Sequence, residues 1–247
     1  MIEIRSVSVF SGQGKMPAQE DAVAVDRERR IFVVADGFGG PTAGAAASKL
    51  ACDEIQHFLV KESGDLEATL PFVIRSYFSL AGNVLFNALL YANRKAMAQN
   101  KEKGIHERGG ASVLAGFMDG DLLALAAAGG CSAWLFREGK EASLVMERTY
   151  GKLCEPFFAD LPIGLRAPLT ALGMSEDLEP EIFEYRVQKG DWLLLATDGL
   201  GSELRGKILE LQRSGEAEAA RKVTECLEQG NREGHYQDNV AVSLIVF

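Results

Sequence analysis

The chain has 247 residues, 47% of them apolar and 25% charged, with a formal net charge of −9. That composition is ordinary for a globular protein with a sizeable core and argues against a disordered or low-complexity chain. The acidic balance argues against a nucleic-acid surface, which needs clustered Lys and Arg to neutralise phosphate.

Ile2 and Ile4 alternate with charges, then Val7 and Val9 with serines one step out of phase, which predicts an opening strand over 1–10 with a bulge. Glu3 and Arg5 stand where a secretory leader would be apolar. The longest apolar run, Leu122–Ala128, is too short to cross a bilayer. A cytoplasmic location with no membrane partner is therefore expected. Strands are predicted over 22–26 and 31–35, joined by the charged turn 27–30. A helix over 42–60 puts Leu50, Ala51, Ile55, Phe58 and Leu59 on one face. A second helical stretch runs from Leu66 to Gln99, bent or restarted near Pro71 and Gly82, and a loop spans 104–110.

Apolar runs over 113–118 and 122–128 flank Asp119-Gly120-Asp121, a hairpin signal, and runs over 133–137 and 142–146 make a second hairpin around Glu138-Gly139-Lys140. Residues 147–167 lack periodicity, hold Pro156 and Pro162, and read as a surface flap. Strands return over 182–187 and 192–197. Two amphipathic helices follow, one aligning Leu204, Ile208 and Leu211 and the other Ala220, Val223 and Leu227, before a last strand over 240–247. Strands in blocks separated by long helices predict an α+β layered fold, and the absence of repeats or linkers predicts a single domain over 1–247. Cys52, Cys131, Cys154 and Cys226 form no Cys-x-x-Cys pair, so reduced thiols are expected, with neither a zinc site nor a disulfide framework.

Four acidic segments close apolar runs: Gln19-Glu20-Asp21, Asp36-Gly37-Phe38-Gly39-Gly40, Thr197-Asp198-Gly199 and Gln237-Asp238-Asn239. Carboxylates at strand ends can converge and form a cage of hard oxygen ligands, suited to Mg²⁺ or Mn²⁺. Two such ions about 3.5–4 Å apart clamp a phosphate and activate a water. A two-metal hydrolase follows as the first reading.

The order of motifs resembles the metal-dependent protein phosphatases of the PP2C (PPM) family. Besides the four acidic segments, it rests on Gly109-Gly110-Ala111-Ser112, Pro168-Leu169-Thr170-Ala171-Leu172-Gly173 and the run from Gly190 to Leu200, and it spans nearly the whole chain. The resemblance implies a four-layer α-β-β-α sandwich, two antiparallel sheets flanked by helices. It implies two Mn²⁺ or Mg²⁺ ions and hydrolysis of phosphoserine and phosphothreonine on proteins. Asp36 would be the carboxylate that bridges both ions, with the Gly37 carbonyl as a further ligand. Asp198 and Asp238 would join it at the first ion, and Glu20 and Asp21, one or both, directly or through water, would serve the second. Asn239 is the candidate to orient ligands or water. The lack of extra domains is similar to stand-alone bacterial members and leads us to expect a monomer.

Three departures stand out. Many members carry an arginine that grips phosphate where this chain has Met16; Lys15, just before it, is the candidate point charge. Phe38 replaces a histidine used by many eukaryotic members as a general acid. Gly130-Cys131-Ser132-Ala133 stands where the family has Gly-Asp-Ser-Arg, whose aspartate helps hold a third ion; a thiol is a poor Mg²⁺ ligand, so the third ion is expected to be weak or absent. Met16 and Cys131 also motivate the competing reading of a degenerate phosphoprotein-binding module. A hydrolase of small phosphate esters is a third. Of the histidines, His57 falls on a helix, His106 in a loop, and His235 close enough to Asp238 to approach the site.

Overall fold

The structure, a computed structural model, describes residues 2–62, 74–157, 163–214 and 219–247. Its strands are β1 (Ser6–Gly12), β2 (Asp21–Asp26), β3 (Ile31–Phe38), β4 (Gly110–Asp119), β5 (Leu122–Ala128), β6 (Ser132–Arg137), β7 (Lys140–Val145), β8 (Glu181–Arg186), β9 (Trp192–Ala196) and β10 (Val240–Val246). They form two five-stranded antiparallel sheets, ordered β1-β10-β9-β6-β7 and β2-β3-β4-β5-β8.

The central strands are buried on both faces, which is why they read as continuous apolar runs rather than alternating ones. Along β3, Phe32 and Val34 face the opposite sheet and join Leu114, Leu125, Leu195 and Ile245 in the layer between the sheets. Ile31, Val33 and Ala35 face outward against helices α1 (Pro41–Glu62) and α2 (Leu80–Lys101), meeting Ile55, Leu59, Leu85 and Leu89. On the other sheet Leu194, Val242 and Leu244 pack against α4 (Ser202–Ser214) and α5 (Ala219–Arg232) through Ile208, Val223 and Leu227. The layers run helix, sheet, sheet, helix. Each fully buried Leu, Ile or Phe in them contributes about 1.5–3 kcal/mol.

Local chemistry sets several boundaries differently from expectation. Among the described residues the first strand begins at Ser6; before it the guanidinium groups of Arg27 and Arg30 take the carbonyls of Ile4, Arg5 and Ile2, while the Arg5 N–H still donates to the Val246 carbonyl at 2.8 Å. Helix α2 begins where Ser79 accepts a hydrogen bond from the Gly82 N–H at 3.0 Å. The expected start at Leu66 and the break at Pro71 lie outside the described residues. Within the flap, Tyr150–Cys154 forms a short helix, α3, and Ile163–Leu165 a 3₁₀ turn; Pro162 also lies outside the described residues.

Asp191 closes a turn through its N–H on the Gln188 carbonyl at 3.1 Å; it is 1% exposed and receives two hydrogen bonds from Arg137, at 2.7 and 2.6 Å, and one from the Gln188 N–H. It clasps the start of β9 to the end of β6. Replacing the carboxylate gives up two charge-assisted hydrogen bonds, one of whose partners is fully buried. Asp191→Asn is therefore expected to lower the melting temperature by several degrees while the folded fraction keeps its specific activity. Equal loss of activity in the folded protein would tie Asp191 to the chemistry instead. Among the described residues, no helix is long and apolar enough to cross a membrane.

Candidate functional site

Antiparallel register does the first assembly. Asp21 on β2 pairs with Asp36 on β3, and Asp36 pairs in turn with Ser112 on β4. Paired residues project to the same face. These three share the parity of Val23, Val34 and Leu114, whose side chains lie between the sheets. The row thus sits at one end of the sandwich, facing the opposite sheet. There Asp198 follows β9 and Asp238 precedes β10, and their charges act on Asp21 and Asp36.

Asp21 is 8% exposed and accepts a 2.6 Å hydrogen bond from the Thr197 hydroxyl, which in turn accepts from the Ala241 N–H at 2.8 Å. Thr197 thereby ties the two sheets together at the row. Burial pushes the Asp21 carboxyl up to about 7 against the lowering effect of Thr197, with Asp198 and Asp238 adding repulsion. Asp36 is raised well above the usual carboxylate range, first by burial, then by Asp198, Asp21 and Asp238, and it donates a hydrogen bond to Asp21. Asp198 is raised to about 7 by burial, opposed by Arg166 and reinforced by Asp238 and Glu147.

Glu20 points the other way from Asp21, as neighbours on a strand do. Its carboxylate packs against α1, where a Cβ on Gly44 would meet Glu20 Oε2 at 1.9 Å. Burial and then Asp238 raise its pKa. Gly37 has to be glycine: a Cβ there would fall 2.1 Å from the Gly44 carbonyl oxygen. Asn239 is buried, and its side chain accepts from the Glu20 N–H at 2.8 Å and donates to the carbonyls of Gln13 and Ala18 at 2.8 and 2.9 Å. It fixes the backbone that carries Glu20 and Asp21 beside Asp238.

Among the described residues the cation at the cluster is Arg166, which no sequence pattern marks. Arg166 donates to the Asp198 carbonyl at 3.0 Å, and its guanidinium lies 3.9 Å from the Asp198 carboxylate and 3.8 Å from that of Asp238. It stands in the aperiodic flap, where no pattern marks it. Lys15 instead is exposed, with its backbone N–H on the Tyr236 carbonyl and its side chain running past Gly234, and it makes no ion pair among the described residues. Arg166, Asp198, Asp238, Lys207 and His235 line a cavity of about 420 Å³ that opens beside the row. Cys131 is 1% exposed, with its thiol 4.0 Å from the Val34 carbonyl oxygen. Burial, then Asp36, Asp21 and Asp198, hold that thiol protonated, which makes it inert.

The donor set fits hard divalent cations: carboxylate oxygens brought together and repelling one another, with the Arg166 guanidinium, among the described residues, beside two of them. As the side chains stand, no three His, Cys, Asp or Glu groups among the described residues close around one point.

No protein-family model matches the chain. It is 26% identical over 223 residues to the serine/threonine protein phosphatase PstP of Mycobacterium tuberculosis, a match covering 86% of this chain and 39% of that protein. The chain therefore spans about two-fifths of the length of the curated relative it matches. Among solved structures it superposes on serine/threonine phosphatase Stp1 from Staphylococcus aureus with a TM-score of 0.78 at 19% identity, covering 100% of this chain and 98% of that one. The catalytic domain of PstP in complex with two manganese ions gives a TM-score of 0.73 at 24% identity, with 98% of each chain covered. The chain has the PPM phosphatase fold. Its four layers and two antiparallel sheets are those the motif order implied, and in this PPM fold the acidic row lies at one end of the sandwich.

Proposed function

We propose that the chain is a Mn²⁺- or Mg²⁺-dependent phosphatase that hydrolyses phosphoserine and phosphothreonine on proteins. The observation that carries this reading is the gathering, from four distant segments, of the largely buried Asp21, Asp36 and Asp198 with the part-exposed Asp238 into one mutually repelling set. Such an arrangement is costly unless cations occupy it. The solved PstP domain holds two manganese ions. Here Asp36, Asp198, Asp238 and the Gly37 carbonyl would serve one ion, and Asp36 with Asp21 or Glu20 the other. When bound, the ions would supply charge for the phosphoryl oxygens and an activated water.

The chain's own residues do the positioning. Thr197 holds Asp21, Asn239 holds the Glu20 backbone, and Arg166 sets a planar donor fork at the cavity mouth. No side-chain nucleophile is needed, and the Cys131 thiol is held neutral. The decisive test is Mn²⁺-dependent release of phosphate from a phosphothreonine peptide, abolished by EDTA and restored by Mn²⁺. Tight phosphopeptide binding with no release would favour the binding module that Met16 and Cys131 suggest. Activity restricted to small phosphate esters would favour the third reading.

Arg166 and Lys15 are rival partners for the substrate phosphate. Arg166 lies at the carboxylates and Lys15 is exposed and absent from the cavity lining, so Arg166→Ala is expected to raise KM for a phosphopeptide about tenfold, which is about 1.4 kcal/mol and near the low end for a hydrogen bond to a charged group. Lys15→Ala should change it less than about threefold. Steady-state kinetics with both variants decides this. The reverse ranking would return the phosphate to Lys15.

A further inference from the structure

Ser112 is an anomaly that the site as described does not use. Its side chain is buried, with 1% exposure, and its hydroxyl oxygen has no hydrogen-bond partner among the described residues. A buried polar group left unpaired costs about 1–3 kcal/mol, so a native structure normally gives it something to do. Its register partner is Asp36. Paired residues hold their Cβ atoms about 4.5–5.5 Å apart on one face, which brings the hydroxyl within a rotation of the carboxylate.

The surroundings leave the hydroxyl little other choice. Gly129 turns over it with φ 105°, and a Cβ at that position would fall 2.5 Å from Ser112 Oγ. The next two residues are Gly130 and Cys131, so the loop that roofs Ser112 brings no carboxylate of its own. Ser243 is also an orphan hydroxyl, but it pairs with Val9 and Leu195 and has no acid in its row. Ser112 alone of the two stands beside a carboxylate.

We propose that Ser112 is a positioning residue: its hydroxyl donates to the Asp36 carboxylate when that carboxylate holds a divalent ion, fixing the orientation of the ligand oxygens. The proposal rests on the metal-dependent reading above. On the β4 side of Asp36, Ser112 is the polar neighbour in register, and its buried hydroxyl has no other partner among the described residues. Groups that orient a metal ligand in this way are typically worth about 10–100-fold in metal affinity.

The test is Mn²⁺ titration calorimetry on the whole chain, with melting temperatures measured in EDTA. Ser112→Ala is expected to weaken Mn²⁺ binding about tenfold. In EDTA its melting temperature should be unchanged or higher, because the hydroxyl has no bond to lose there. Ser112→Cys, close in volume but a poor donor, should fold like the wild type and also bind Mn²⁺ more weakly. Wild-type Mn²⁺ affinity in both variants would overturn the assignment. So would a clear loss of stability in EDTA with unchanged affinity, the mark of a structural hydrogen bond. If the wild type itself binds no Mn²⁺, the metal-dependent reading fails, and this inference fails with it in a way the variants are not needed to show.

Discussion

Asp36→Asn is expected to lower Mn²⁺-dependent phosphate release from a phosphothreonine peptide by about 10³-fold, the scale of losing one preorganised electrostatic group at a reaction centre. Asp36 is the middle of the acidic row, with Asp21 on one side, Ser112 on the other, and Asp198 and Asp238 facing it. The amide keeps the shape and can still donate to Asp21, but it removes the charge two cations would share. Its effect on the metal-free chain should have the opposite sign, because a buried, repelled carboxylate is a liability without a cation. The variant should therefore melt at or above the wild-type temperature in EDTA while activity collapses. Asp198→Asn should behave the same way. Near-normal turnover of Asp36→Asn at saturating Mn²⁺ would sink the two-metal reading.

The parts of the fold that could be read from the sequence are those where burial on both faces leaves an unbroken apolar run. Residues 31–35, 122–128 and 192–197 belong to this class, and the structure places β3, β5 and β9 there within a few residues. The first strand starts later than the alternation predicts, for a physical reason. Ile2 and Ile4 alternate correctly and Ile4 is buried, but two arginines far along the chain claim the backbone carbonyls that a ladder would need. At the site, Asp21, Asp36, Asp198 and Asp238 could be picked out because each closes or opens an apolar run, and strand ends point to common edges. Arg166, Thr197 and Ser112 could not be. Arg166 lies in a stretch without period. Thr197 matters because it faces a carboxylate 176 residues away, and Ser112 because register sets it against Asp36. Such contacts are set by how strands align across the sandwich, and short-range spacing carries no record of that. Asp191 sits in a turn ahead of β9, and its two bonds to Arg137 on β6 also make it a buried clasp.

The metal-free chain is expected to lose stability as pH rises from about 5 to about 8, and Mn²⁺ is expected to cancel that loss. Asp21 and Asp198 have folded-state pKa values of about 7, against 3.8 for the free side chain, and Asp36 is raised as well. Between those values the folded state holds more protons than the unfolded state. Stability therefore declines with pH across that window and is fully present only below it. Three neighbouring carboxyls share the protons, so the loss falls short of the sum of their individual shifts; a few kcal/mol overall corresponds to about 5–10 °C in melting temperature for a chain of this size. A divalent ion takes the place of the protons and binds more tightly as they leave. The Mn²⁺-induced rise in melting temperature should accordingly be larger at pH 8 than at pH 5.5. Melting curves at both pH values, in EDTA and in excess Mn²⁺, give the four temperatures required. A metal-free melting temperature that climbs between pH 5.5 and 8 would mean these carboxylates are already balanced by the protein's own cations. In that case Arg166 would be doing the work here assigned to metal.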